Sequence, residues 1–223
     1  MAVAVNSIIS KVGIILQDED TVRWTATELL GWLNEAQIEV VREKPEAYVT
    51  NAAVLLSAGT KQSLPSCGIT LIDITRNMGT NGTTAGDSIR IIDKRLMDAM
   101  VPNWHNTLRA KAVVSHCMFD ERDPKHYYVE PPSDGTNYIE IIYSVVPSAA
   151  SAGGNITLDD IYEPIIMNYM IYRAFDKDSD FGSNGERAIR HYQLFLAALG
   201  STEKAEALMN PNKSLVTTKL PVG

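Results

Sequence analysis

The sequence predicts an α+β protein in which helices from both ends of the chain form a four-helix bundle around an inserted β-rich module. Apolar residues recur at three- and four-residue steps near both ends and at every second residue between them. Helices with one apolar stripe need a surface to cover it, and packing against each other provides one. The predicted segments are N-terminal helices in 1–47, a β-rich module in 48–147, C-terminal helices in 156–209 and an extended tail in 210–223.

The chain is acidic, with 20 Lys and Arg against 27 Asp and Glu and a net charge of −7. A protein that clamps DNA by its phosphates usually presents a basic face, so this balance argues against a DNA clamp. It also argues against attachment to an anionic membrane. The sequence has no apolar run long enough to span a bilayer and no signal-peptide layout at its start, so we expect synthesis in a cytoplasm.

Two helices are predicted in the first segment. The first ends at the acidic run Asp18-Glu19-Asp20. Thr25 is predicted to cap the second, with Glu28 as its reciprocal partner and a hydrophobic staple formed by Trp24 and Leu29. Pro45 ends it. The residues predicted to face inward are Val5, Ile8, Ile9, Val12, Ile15 and Leu16 in the first helix and Leu29, Leu33, Ala36 and Val40 in the second.

The β-rich module begins with two predicted hairpins. Residues 53–56 and 60–64 predict strands of the first, joined at a Gly-containing turn. A strand at 69–74 is predicted to pair with one at 88–92 in a longer hairpin, whose loop has Asn81-Gly82 at its tip. The module is completed by a short helix at 93–100 and by strands at 113–119, 126–130 and 138–145.

Two helices and a further short helix are predicted after a linker of small, flexible residues at 148–154. Asp160 and Glu163 have the spacing of a capping box. The next helix is predicted to stop at Gly200, and a short helix at 202–209 follows. The predicted apolar faces comprise Ile161, Ile165, Ile166, Tyr169, Met170 and Phe175, and then Ala188, Ile189, Tyr192, Phe195, Leu196 and Leu199.

The acidic loop at 176–186 is the nearest approach to a metal site. Asp176, Asp178 and Asp180 resemble the start of a calcium loop, but Phe181 stands where that loop requires glycine. An acidic turn between two helices is the simpler interpretation, and the sequence leaves ion binding open. We therefore predict no metal and no cofactor.

The sequence contains no established catalytic motif, so we predict that the protein is not an enzyme. Cys67 and Cys117 are expected to be buried small hydrophobes, without disulfide or zinc spacing. The rival hypothesis is a soluble enzyme in which distant residues converge in one pocket. Its candidate residues are Cys117, Asp120, Asp123 and His126.

Tyr127 and Tyr128, next to two prolines, predict either an adhesive aromatic surface or alternate core and rim positions on an edge strand. The second interpretation is the simpler one.

Several of these segments resemble the adaptor proteins that connect head and tail in short-tailed bacteriophages, similar in role to the tail tubular protein A of T7-like phages. The likeness is collinear over about residues 5–198 and omits the hairpin loop and the tail. It is carried by Thr21-Val22-Arg23-Trp24-Thr25, Trp32-Leu33-Asn34-Glu35-Ala36-Gln37, Lys44-Pro45, Gly59-Thr60-Lys61-Gln62-Ser63-Leu64-Pro65, Gly68-Ile69-Thr70-Leu71-Ile72-Asp73, Phe119-Asp120-Glu121-Arg122-Asp123-Pro124, Tyr128-Val129-Glu130-Pro131-Pro132 and Asp160-Ile161-Tyr162-Glu163.

This resemblance implies a structural virion protein in the tail or neck, made in the cytoplasm of a host bacterium. It implies a homo-oligomeric ring, usually of about twelve copies, docked under the portal protein and serving as a platform for the tail nozzle. DNA would pass through the lumen without specific binding. Another tail-completion or nozzle protein is the alternative. The partner-binding residues expected are Lys213, Leu215, Val216, Lys219 and Leu220 for the portal, and Asn81, Tyr127 and Tyr128 for the nozzle or a neighbouring subunit.

Overall fold

The computed structural model describes residues 3–120 and 122–209, so the predicted tail at 210–223 lies outside the described residues. The chain is of the α+β class, as predicted, and divides into two compact units. We call Met1–Glu43 with Ser148–Gly223 the helical unit, and Lys44–Pro147 the β unit. The domain bounds predicted from the sequence stay a prediction.

The described residues form the following α-helices and strands. The α-helices are α1 (Val5–Leu16), α2 (Ala26–Glu43), α3 (Lys94–Met100), α4 (Glu163–Lys177) and α5 (Asn184–Met209). The strands are β1 (Val49–Leu55), β2 (Gly59–Ser63), β3 (Gly68–Asn77), β4 (Arg90–Ile91), β5 (His116–Phe119), β6 (His126–Ser133) and β7 (Tyr138–Val145).

Helix α4 is the central helix of the helical unit, because α1, α2 and α5 all pack against it. The predicted inward faces of α1 and α2 are buried, except that Ile15 is 49% exposed. The predicted capping box of α2 is confirmed: Thr25 N–H donates to Glu28 Oε2 at 3.1 Å, and Glu28 N–H donates to Thr25 Oγ1 at 3.3 Å. The Trp24 indole N–H donates to the Ala174 carbonyl at 3.1 Å and joins the start of α2 to α4.

The predicted start of α4 is wrong. A 3₁₀ turn, Asp160–Tyr162, precedes the helix, and Tyr162 stands at the N-cap position without a side-chain capping bond. Ile161 belongs to this turn and not to the helical stripe, which is why its side chain is 62% exposed. The remaining residues of the predicted apolar face of α4 are buried.

Helix α5 continues through Gly200, where the sequence predicts a stop. Glycine inside a helix costs about 1 kcal/mol relative to alanine, which is too little to end a helix that packs along α4. Its buried stripe contains Ala188, Phe195 and Leu199. Ile189 and Leu196 are exposed, contrary to prediction, because each lies one residue, about 100° around the helix, from a buried neighbour.

The segment at 148–154, predicted to be a flexible linker, is hydrogen-bonded to α2 as the chain returns from the β unit. Asn34 donates from Nδ2 to the Ala150 carbonyl at 3.2 Å and accepts at Oδ1 from Ala150 N–H at 2.8 Å. One turn further along α2, Gln37 accepts at Oε1 from the backbone N–H groups of Thr157 at 2.7 Å and Leu158 at 3.3 Å. Gln37 also donates to Asn34 Oδ1 at 3.2 Å, and we call these side chains the Gln37 cluster.

The β unit contains two sheets. One has the order β1-β7-β3 and is antiparallel. The other has the order β2-β6-β5-β4, in which only β4 and β5 run parallel. The core between the strands comprises Leu56, Leu71, Ile74, Ile89, Val114, Cys117, Tyr127, Val129, Ile139, Ile141, Tyr143 and Val145.

Both predicted hairpins are wrong. Strands β1 and β2 lie in different sheets, and the side chain of Gln62 occupies the corner between them: it accepts from Ser57 N–H at 2.7 Å and donates to the Ser57 carbonyl at 2.8 Å. These bonds satisfy backbone groups that a hairpin ladder would otherwise use. Strands β3 and β4 share only an isolated bridge between Arg76 and Ser88, and β4 pairs with β5.

Replacing Gln37 tests the Gln37 cluster. Gln37 is 1% exposed, and Gln37→Leu leaves the N–H groups of the half-buried Thr157 and the buried Leu158 without their acceptor. We expect the free energy of unfolding to fall by about 2–3 kcal/mol, measured by urea denaturation at equal protein concentration. Gln193→Leu, at an exposed position of α5, is the matched control and should change it by less than about 0.5 kcal/mol. Equal losses in both variants would contradict this role of Gln37.

Candidate interaction surfaces

The turn that joins α1 to α2 meets the turn that joins α4 to α5 at one end of the helical unit, which we call the turn end. The guanidinium group of Arg23 forms an ion pair with Asp178. Its carbon lies 5.0 Å from the ring centre of Trp24 and 5.3 Å from that of Phe181. Cation–π contacts of this kind add to the ion pair, so the two turns support each other.

Asp18 orders the first of these turns. Its carboxylate accepts hydrogen bonds from the backbone N–H groups of Val22 at 2.9 Å, Arg23 at 3.0 Å and Trp24 at 2.9 Å. The bond from Trp24 contributes most to lowering the pKa of Asp18, and those from Val22 and Arg23 add to it, as does the nearby Arg23 charge. Thr21 takes a left-handed backbone conformation with φ 53°, as this tight turn requires.

Two apolar side chains are exposed at the turn end. Val22 is 80% exposed and Phe181 is 66% exposed. Exposed apolar groups beside an arginine–aromatic stack are typical of protein–protein contacts, where aromatic and arginine side chains contribute much of the binding energy. The turn end is therefore a candidate interaction surface.

A groove of about 320 Å³ lies between α1 and α5, with Phe175 of α4 among its lining residues. Arg187 places its guanidinium carbon 5.6 Å from the ring centre of Phe175. Burial lowers the pKa of His191, and the positive charge of Arg190 lowers it further. The residues that line the groove are Ile15, Phe175, Arg187, Arg190, His191 and Leu194.

Asp178, the central carboxylate of the acidic loop between α4 and α5, is bound by other side chains of the chain. Asp178 pairs with Arg23 and also accepts from the Asn184 amide at 3.1 Å. Within the described ranges, no group of three His, Cys, Asp or Glu side chains has a geometry that would hold a metal ion. Asp176 and Asp180 are exposed beside Asp178.

Asn81 is exposed at the tip of the loop that follows β3. Its side-chain oxygen accepts from the N–H groups of Thr83 at 3.0 Å and Thr84 at 3.1 Å, and these bonds fix the shape of the tip. At the base of the loop, the buried Asn77 donates to the carbonyls of Asp87 at 3.0 Å and Val114 at 2.8 Å. The loop therefore presents a shaped surface.

Tyr127 and Tyr128 alternate between core and rim, as the simpler of the two predictions states. Tyr127 is 1% exposed, and burial raises the pKa of its hydroxyl. Tyr128 is half-buried, with its ring edge-to-face against Trp104 at 5.8 Å and His105 at 5.9 Å. Strand β6 lies between β2 and β5, so the predicted edge position is wrong. Tyr127 lies in the core and offers no side-chain surface to a partner.

The four residues of the rival enzyme hypothesis do not share one pocket among the described residues, although Asp123 and His126 are paired. Cys117 is buried in the core of the β unit, and burial raises the pKa of its thiol to about 12. Asp120 accepts two hydrogen bonds from the guanidinium group of Arg122, at 2.9 and 2.7 Å, while Asp123 pairs with His126 at 2.7 Å. A surface cavity of about 560 Å³ includes Asp120, and none of the other three is among its described lining residues.

Cys67 is exposed, contrary to the prediction that both cysteines are buried. It follows the end of β2 in the turn before β3, where no core covers it. As for membranes, no helix among the described residues is long and apolar enough to cross a bilayer.

A comparison with known protein families identifies the family of the chain. The family model described as SU10 adaptor protein matches residues 4–215, which include both the helical unit and the β unit, so the chain belongs to this family. It is therefore a bacteriophage head-to-tail adaptor, a structural component of a phage particle that assembles with other phage proteins. This match confirms the resemblance found in the sequence. No curated protein matches the chain.

Sequence reasoning missed the candidate surfaces of the helical unit. Val22 and Phe181 carry a detectable signal, because each is an apolar residue inside a short polar turn. Arg187 and Arg190 carry none, since the sequence does not show that α1 and α5 leave a groove between them. The five residues predicted to bind the portal, Lys213, Leu215, Val216, Lys219 and Leu220, lie outside the described residues.

The acceptor role of Asp18 predicts a pH-dependent effect of Asp18→Asn. Folding lowers the pKa of Asp18 below its ordinary value of 3.8, so its carboxylate stabilises the fold above that pH. This contribution is lost as the pH falls through the lowered pKa. We expect Asp18→Asn to melt at a lower temperature than the wild type at neutral pH, and the difference to vanish in acid, as measured by circular dichroism. The nearby exposed Asp20→Asn is the control, and equal melting of all three proteins at neutral pH would exclude this role.

The two cysteines are expected to differ in reactivity with Ellman's reagent. At neutral pH one thiol per native chain should react quickly, because Cys67 is exposed whereas Cys117 is buried with a raised pKa. The second should react only after unfolding in urea. In Cys67→Ser the fast reaction should disappear, and a fast reaction that persists in this variant would show that Cys117 is accessible.

Proposed function

We propose that the chain forms a ring of about twelve copies, docked under the portal, through which DNA passes and on which the tail nozzle assembles. The family match over residues 4–215 carries this proposal, because an adaptor acts by joining other parts of the particle. We assign no catalytic activity to the chain.

The helical unit supports the proposal by its shape. Helices α1, α2 and α5 around α4 form, we infer, a four-helix bundle that serves as the body of a ring subunit. A closed ring needs two different faces on each subunit, one for each neighbour. The turn end and the groove between α1 and α5 are two such faces with different chemistry.

The charge of the chain suits a passage for DNA. Each copy contributes a net charge of −7. A lumen lined by excess positive charge would bind phosphates and release their counterions, which slows passage. An acidic ring repels the backbone of DNA and lets it slide.

We propose that the segment 210–223 binds the portal protein. Lys213 and Lys219 supply positive charge, and Leu215, Val216 and Leu220 supply apolar anchors. The family match reaches residue 215, so it includes the first part of this segment. A segment that combines positive charge with apolar side chains can bind a partner through both kinds of contact, which suits a junction between two rings.

We propose that two of the residues predicted from the sequence, Asn81 and Tyr128, bind the nozzle or a neighbouring subunit. Asn81 is exposed at the ordered tip of the β-unit loop, and Tyr128 is half-buried at the rim of the second sheet. Tyr127 no longer belongs to this site, since only 1% of it is exposed.

Electron microscopy of the purified protein, alone and with the portal protein, tests the ring. A ring of adaptor copies on the portal is the expected result. Density for this chain at the far end of the tail of the intact particle would instead support a nozzle or tail-completion protein, and would overturn the proposal.

Removing residues 210–223 tests the portal site. We expect the truncated chain to retain its fold, because the packing of α1, α2 and α5 on α4 involves only residues before the segment, and to bind the portal at least about tenfold more weakly. Surface plasmon resonance against immobilised portal measures this change. A full-length control with the order of these residues scrambled separates sequence-specific docking from net charge, and undiminished binding by the truncated chain would refute the site.

A further inference from the structure

The groove between α1 and α5 combines apolar walls with positive charge. Ile15 and Leu194, which line it, are 49% and 44% exposed. Arg187 and Arg190 line it as well, and the lining among the described residues contains no carboxylate. The salt bridges in the described part of the chain use neither arginine. The groove therefore fits a group that is apolar and flanked by negative charge.

The turn between α4 and α5 has this complementary chemistry. Phe181 is 66% exposed, and the exposed carboxylates of Asp176 and Asp180 stand on either side of Asp178 just before it. Asp178 is already paired with Arg23, whose guanidinium carbon lies 5.3 Å from the centre of the Phe181 ring. The last turn of α4 and the turn that follows it thus present an apolar ring and two negative charges beside the contacts of Arg23.

A closed ring also constrains where two such surfaces lie. Rotation about a symmetry axis leaves height along that axis unchanged, so the two faces that meet must occur at the same height on each subunit. The groove includes Ile15 of the last turn of α1 and Arg187 of the first turn of α5, so it lies next to the turn end. Phe181 is beside Arg23, which precedes α2, whereas the groove lies between α1 and α5. One copy can therefore present its turn to the groove of the next.

We propose that Phe181 of one copy inserts into the groove of the neighbouring copy, where Asp176 and Asp180 pair with Arg187 and Arg190. This contact rests on the proposed ring and names the surface that closes it. It is heterologous, because each copy contributes its turn to one neighbour and its groove to the other. Buried aromatic side chains surrounded by complementary charge are the usual anchors of such contacts.

Charge reversal tests the pairing. Asp176→Lys with Asp180→Lys, and separately Arg187→Glu with Arg190→Glu, should each weaken self-association at least about tenfold, measured by sedimentation over a dilution series, with portal present if assembly needs it. All four substitutions in one chain restore opposite charges across the contact, so assembly should return. This rescue excludes misfolding as the cause of the losses in the two partial variants.

Phe181→Ser tests the apolar anchor and should weaken self-association to a similar degree. Leu108→Ser is the matched control, since Leu108 is 92% exposed in the β unit, and should leave assembly unchanged. Wild-type rings that persist in all the charge and Phe181 variants would overturn this contact and leave the proposed ring intact. Variants that assemble normally but lose portal binding would assign the groove to the portal and also overturn it. A wild type that forms no ring, alone or on portal, would overturn the proposed function and this contact together.

Discussion

The buried amide of Gln37 joins the two stretches of chain that build the helical unit. The unit is built from two separate stretches of chain, because the β unit is inserted between Glu43 and Ser148. Gln37 and Asn34 of α2 bind the backbone of the returning segment and so join the second stretch to the first. A buried amide with all its partners present stabilises one arrangement strongly, since each alternative leaves polar groups unpaired.

Buried side-chain amides also bind backbone groups in the β unit, at places where the chain leaves a regular strand. Asn77 donates to two backbone carbonyls and accepts from the Val114 N–H at 3.0 Å and from the Asn137 amide at 3.1 Å. Gln62 has the equivalent role at the corner between β1 and β2. These side chains replace the regular ladder at points where the chain changes sheet, and they let loops such as that of Asn81 keep a defined shape for contact with a partner.

An adaptor acts through surfaces, and the helical unit supplies two that differ in chemistry at one end. The stack of Arg23 between Trp24 and Phe181 orders a turn with negative charge around an exposed ring. The groove between α1 and α5 carries arginines that no carboxylate of the described residues neutralises by an ion pair. An acidic chain that concentrates part of its positive charge at such a groove has charge available for contacts between copies, without a basic face for DNA.

The sequence by itself determined the α+β class, the helices α1 and α2 with the Thr25 cap, most of the buried face of α4, and the adaptor family, because these depend on local periodicity and on collinear motifs. It could not determine strand pairing: both hairpins were wrong, since β1 and β3 each pair with the distant β7 and side-chain amides replace the expected turns. It also misplaced Ile189, Leu196 and Ile161, because one residue of helical phase or one 3₁₀ turn changes which side is covered. Only the tertiary structure decided the Gln37 cluster and the groove, since each arises where segments far apart in the chain meet.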